Sequence, residues 1–143
     1  MTNTNTIMQL GTLVPDKGAG RKQVYRIGDL ATEFQVTLRA LRFYEDKGLI
    51  TPRRQGSTRL YSEADRSRLK VILLAKQVGF SLAEITEIME IYDNKARVDD
   101  PLGTVLGKFV EQREVLLRQR HEIEQAMQRL EEAISSLREM RPG

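Results

Sequence analysis

The sequence predicts a mainly α-helical chain: a small winged helix-turn-helix domain, then a long C-terminal helix that pairs with a partner. Three observations predict it. Residues 25–61 read as a helix, a tight turn, an arginine-bearing second helix and a basic hairpin. From Leu102 to Leu137, apolar residues recur at alternating spacings of four and three, the pattern of a coiled-coil seam. A polar stretch, Asp93 to Pro101, separates the two regions.

Each element has its own local signal. Residues 1–24 are rich in Thr, Asn and Gly without a period, and are expected to form a flexible tail. Ile27, Leu30, Ala31 and Phe34 share one helical face, so a first helix runs from Ile27 to Phe34. Gln35 and Val36 break it. Thr37 can cap a second helix that ends near Lys47, where Gly48 terminates it. In that helix Leu38 and Leu41 are expected to point to the core, with Tyr44 near them. Pro52 stops helical structure, and Gly56-Ser57 lies between short arms rich in Arg, Thr, Leu and Tyr, as a β-hairpin requires. Ser62 with Asp65, then Ser81 with Glu84, open two further helices. Ile85, Ile88 and Met89 share a face of the second. The winged domain is therefore expected over residues 25–93, with a linker at 94–101 and the long helix over 102–141.

That last helix carries Leu102, Leu106, Phe109, Leu116, Ile123, Met127, Leu130, Ile134 and Leu137 in its seam, with Arg113 and Arg120 in the two remaining slots. Its length, about 58 Å at about 1.5 Å per residue, exceeds what a small domain can cover. It needs a partner helix. Ala126 and Ala133 flank the seam; small residues there favour an antiparallel pair, although alanine is also the best helix former. The two seam arginines either fix the register or turn outward toward glutamates.

Composition narrows the function. No run approaches roughly 18 apolar residues, so no membrane span is expected, and the N-terminus lacks the marks of a secretory signal. With no cysteine and one histidine, His121, neither a disulfide nor a zinc site is expected. No cofactor is expected either. An enzyme is disfavoured, because nucleophile, phosphate loop and carboxylate pocket are all missing from the pattern. The net charge of +3 is uneven: residues 21–70 carry 12 Lys or Arg against 6 Asp or Glu, and residues 71–143 carry 10 against 13. Positive charge gathers where the turn and hairpin lie, as a phosphate-binding surface requires.

The candidate DNA-binding residues follow. Arg39, Arg42 and Phe43 lie on one face of the second helix, opposite Leu41. Arginines near the start of a helix can reach guanine edges or phosphates when the helix enters the major groove. In the hairpin, Arg53, Arg54, Arg59 and Tyr61 offer phosphate contacts, which position a protein without reading sequence. Tyr61 equally suits the core at the base of the hairpin. Phe80, Tyr92, Phe109 and Val110 either line an apolar pocket for a small ligand or pack as ordinary core.

The strings R-x-x-R-F-Y-E (Arg39 to Glu45), G-x-x-R-x-Y-S (Gly56 to Ser62) and GFSL-x-E-I (Gly79 to Ile85) strongly resemble the MerR family of bacterial transcription regulators. The resemblance covers about Tyr25 to Tyr92, and the terminal helix resembles the family's dimerisation helix. It implies a winged helix-turn-helix domain and an antiparallel two-helix coiled coil. Its implied partners are double-stranded promoter DNA, a second copy of the chain and, indirectly, RNA polymerase. It also implies a mechanism, in which the bound dimer twists an over-long promoter spacer. Arg39, Arg42 and Phe43 match the recognition-helix positions, and Arg59 and Tyr61 the wing positions. Phe43 stands where many members have Tyr. Metal- and thiol-sensing branches use cysteines that this chain lacks. The chain is most similar to the short branch without a C-terminal effector domain, and its effector is left unassigned. A cytoplasmic, nucleoid-associated location is the corresponding expectation. Two other classes remain open: an effector-independent architectural or excisionase-like DNA-binding protein, and a coiled-coil adaptor with an incidental basic patch.

Overall fold

The computed structural model describes residues 24–142. Its elements in chain order are β1 (Val24–Arg26), α1 (Ile27–Phe34), α2 (Leu38–Asp46), β2 (Arg53–Gln55), β3 (Thr58–Ser62), α3 (Glu63–Gln77), α4 (Leu82–Tyr92) and α5 (Pro101–Met140). The chain divides into two compact units, parted between Asp99 and Asp100. The first holds the winged helix-turn-helix and the second is the long helix, so the fold is mainly α with a small sheet.

Caps explain most of the boundaries. Thr37 Oγ1 accepts the Ala40 N–H at 3.0 Å and starts α2. Gly48 ends it at φ +73°, a left-handed geometry that glycine adopts without strain. Ser62 and Asp65 cap α3 reciprocally: the Asp65 N–H donates to Ser62 Oγ and the Ser62 N–H to Asp65 Oδ2. Ser81 and Glu84 do the same for α4. The turn between α1 and α2 is made by Gln35 in the left-handed region at φ 54°, and the Val36 N–H returns to the Ala31 carbonyl at 3.1 Å.

The sheet differs from the expected hairpin. Three strands form it, in the order β1-β3-β2. Val24, assigned to the tail from sequence, belongs to β1; the rest of that expected tail lies outside the described residues. β1 pairs antiparallel with β3, setting Tyr25 opposite Tyr61. Both tyrosines are buried, and the burial of Tyr25 anchors a three-residue strand too short to stand alone. The β2–β3 turn is the expected one: Gln55 pairs with Thr58, and Gly56 takes φ +62° at the first central position, as a tight two-residue hairpin needs.

Leu30, Phe34, Leu41, Tyr44, Ile50, Leu69, Ile72, Ile85, Ile88 and Met89 make up most of the first unit's core. Leu38 does not join it. It is 40% exposed, because it opens the nine-residue α2 and the buried stripe starts only at Leu41.

The long helix begins one residue earlier than expected, at Pro101. Proline suits the first helical position, where its missing N–H costs nothing. Asp100 caps it, Oδ1 accepting the Gly103 N–H at 3.0 Å. At 40 residues this helix is about 60 Å long. Among the described residues no helix is long and apolar enough to cross a membrane.

Candidate nucleic-acid interface

α2 supplies the outward surface of the helix-turn-helix. Arg39, Arg42 and Phe43 are exposed together, while Leu41 and Tyr44 on the other side are buried. Among the described residues no carboxylate pairs with Arg39 or Arg42. Their guanidinium donors are available to base edges or phosphates. Phe43 is 45% exposed yet held in place. Its ring meets Tyr44 edge-on at 5.8 Å between centroids, and Lys47 Nζ lies 5.5 Å from its centroid. Leu38, one turn before Arg42, shares this outer surface. Sequence reading sent it to the core because it keeps helical spacing with Leu41.

The wing carries Arg53 and Arg54 on β2 and Arg59 on β3, with Arg54 and Arg59 directly opposed across the strands. Their like charges are bridged by Glu45 of α2. Glu45 Oε1 accepts from Arg54 Nη2 at 2.9 Å, and Oε2 from Arg59 Nε at 2.8 Å. Glu45 escaped the sequence-based choice of site residues, although it closes the R-x-x-R-F-Y-E string.

Tyr61 resolves to the core: it is 1% exposed. As the molecule stands, its ring offers no surface to a phosphate, because β3 turns it inward opposite Tyr25. Its hydroxyl is buried and has no hydrogen-bond partner among the described residues. Burial, followed by the nearby Glu45 charge, pushes its pKa up to about 12. Tyr25 is raised to about 12 as well, first by burial and then by donating to Glu63 Oε2 at 2.6 Å.

Two further arginines, also missed in the sequence, build the frame. Arg66 on α3 binds Glu33 of α1, with Nε 2.8 Å from Oε2, and binds Glu63 through Nη1 at 3.0 Å. These bonds, led by the one to Glu33, raise its pKa further and hold it charged. It also lies 5.9 Å from the ring centroids of both Tyr25 and Phe34. Arg68 donates to the Leu49 carbonyl just past α2, through Nη2 at 2.9 Å, and pairs with Asp93 at the end of α4. Together they fix the carriage of α2 against α1, α3 and α4. Their signal in sequence was only two charges in SEADRSR, which reads as a solvated face.

Of the residues considered for an effector pocket, Phe80 is in the core of the first unit, in keeping with ordinary packing. Tyr92 and Val110 are exposed and Phe109 is half-buried. In the seam, Leu102, Leu106, Leu116, Ile123, Met127, Leu130 and Leu137 are exposed, and Phe109 and Ile134 are half-buried. Arg120 Nε lies 3.9 Å from Glu124 one turn on, and such an exposed pair contributes little to stability.

Comparison with known proteins agrees with this geometry. Residues 25–91 match the MerR HTH family regulatory protein model, and residues 66–140 match the MerR DNA-binding model. The chain is 33% identical over 113 residues to the HTH-type transcriptional regulator ZntR of Escherichia coli K12, covering 77% of this chain and 80% of that one. The crystal structure of a MerR-family regulator from Bacillus cereus superposes with a TM-score of 0.64 at 29% identity, over 84% of this chain and 87% of that one. HiNmlR, a MerR-family regulator lacking the sensor domain and solved bound to promoter DNA, shares the fold with a TM-score of 0.59 at 23% identity, over 73% of this chain and 79% of that one. The chain belongs to the MerR family of DNA-binding transcription regulators.

Proposed function

We propose that this regulator acts as a homodimer on a palindromic promoter site, paired through an antiparallel coiled coil of α5. The observation that carries the reading is the combination of two surfaces in one chain. One is the outward face of α2 with its uncommitted Arg39 and Arg42. The other is the exposed apolar seam of a helix about 60 Å long. Burying that seam against a second copy joins two reading heads in one assembly, which palindromic half-sites mirror. A neighbour of the same fold was solved bound to promoter DNA, which supports DNA as the partner; entry of α2 into the major groove follows from the general docking of a helix-turn-helix. The dimer then holds an over-long promoter spacer out of phase and activates by bending and untwisting it. RNA polymerase is engaged only through the reshaped promoter. Such distortion costs on the order of 1–6 kcal/mol, which phosphate contacts from Arg53, Arg54 and Arg59 of both subunits offset.

The test is a footprint on the bound promoter, followed by shortening of its spacer by about one or two base pairs. Enhanced cleavage at the centre of the site, and transcription independent of the protein after shortening, are the expected results. Unchanged regulation would leave a plain roadblock or recruiter.

The roles within the interface separate by mutation. Arg39→Ala or Arg42→Ala removes about 1–3 kcal/mol of discrimination between right and wrong bases. Arg59→Ala weakens all duplexes nearly equally and flattens the salt dependence. Titrations of matched and mismatched duplexes at several salt concentrations distinguish the two patterns, and equal loss of specificity from all three variants contradicts the division.

A further inference from the structure

A carboxylate facing DNA is at first sight a defect, because it repels phosphates. Glu45 stands on α2, two residues past Phe43, among the arginines that would approach the duplex. Yet its side chain is 13% exposed, against 25% for Arg59 and 55% for Arg54. The acid is thus more shielded than either arginine. Arg54 gives it one N–H through Nη2 and Arg59 gives it Nε–H. A guanidinium has five N–H donors, so each arginine keeps several for a phosphate. The trio still carries one net positive charge.

The outer strand of the wing, β2, is held to the sheet by its pairing with β3. Every residue of β2 is exposed, so no buried side chain anchors that strand. Arg54 and Arg59 face each other across β2 and β3, an arrangement of like charges that would push the side chains apart. A carboxylate between them removes the repulsion and orients both heads from the reading helix itself.

We infer that Glu45 is a positioning residue that locks the wing arginines to the recognition helix, so that phosphate clamping and base reading share one register. The inference rests on the reading of Arg54 and Arg59 as phosphate clamps. It predicts an effect opposite to simple electrostatics. Removing a negative charge near DNA should tighten binding to any duplex. Removing a positioning residue should weaken binding to the matched duplex while leaving unrelated DNA bound as well as before, or better.

The experiment uses the full chain and two probes: a duplex that the wild-type protein selects from a random pool, and a scrambled duplex of equal length. Glu45→Gln keeps the shape of the side chain, and Glu45→Ala removes it. Both are titrated across a salt series, normalised to the folded, DNA-competent fraction. The expected result is a loss of about tenfold on the selected duplex, little or no loss on the scrambled one, and a salt slope unchanged or steeper. In an Arg54→Ala/Arg59→Ala background, Glu45→Gln should have no further effect. Tighter binding of both duplexes would make Glu45 a mask over the arginines and overturn the inference, as would unchanged specificity or full additivity in that background. If Arg54→Ala/Arg59→Ala itself leaves binding unaltered, the phosphate reading fails instead.

Discussion

The two units of this molecule solve the burial problem in opposite ways. The winged domain closes upon itself: Leu30, Leu41, Leu69 and Ile72 are fully buried, and its helix ends are capped by Thr37, Ser62 and Ser81. The long helix does not. Its 40 residues bury only Val105, and its apolar seam faces outward. A single helix has no second layer to cover its stripe, so most of its stability must come from packing that one chain cannot supply. The contrast teaches a division of labour. One unit is a reader complete in a single chain, and the other presents an apolar stripe that a single chain leaves exposed.

The largest effect should come from the seam. With Ile123→Asp and Leu130→Asp together, two charges replace apolar contacts along the partner helix. We expect monomers by sedimentation, while the near-ultraviolet signal of the winged domain's tyrosines stays native. A variant that remains dimeric breaks the comparison at its root.

The next effect is confined to the reader. Phe34 is 1% exposed, and Phe34→Ala should cost about 3–5 kcal/mol. Thermal unfolding should show the winged domain melting early, with helicity from α5 retained at high protein concentration. Simultaneous loss of both would mean that the units fold as one.

A further effect is one of pH. Tyr25 and Tyr61 ionise near 12 in the folded chain against 10.0 in the open chain. Between about 10 and 12 the unfolded state gives up these protons first, so stability falls as pH rises through that window. The loss should be on the order of a few kcal/mol. Denaturant titrations should show it in the winged domain, and Tyr25→Phe should remove its share. The long helix has no tyrosine and should not report this tyrosine-linked change.

How much of this was legible in the sequence depended on the range of the interaction. Caps act over three residues, so Thr37, Ser62 with Asp65, and Ser81 with Glu84 marked three helix starts correctly. The long helix was equally plain from its seven-residue apolar repeat. β1 was not legible, because Val24–Arg26 is a strand only by pairing with residues 60–62 far along the chain. Leu38 fitted the apolar period of α2, yet the curvature of a small domain leaves the first turn of a short helix uncovered. Tyr61 kept two readings until the sheet showed which face of β3 is covered. The ion pairs of Glu45 span nine and fourteen residues, and those of Arg66 with Glu33 and of Arg68 with Asp93 span 33 and 25. No local pattern distinguishes such charges from a solvated surface.

The proposal is that the seam joins two complete readers. It is tested most directly by measuring binding to a palindromic duplex and to one half-site, for the wild-type chain and for the Ile123→Asp/Leu130→Asp variant. The wild type should prefer the palindrome by about 10²–10⁴-fold, the gain from linking two binding events. The variant should bind both duplexes with the same, half-site affinity. A variant that keeps the wild-type preference, or a wild type that has none, would contradict the account.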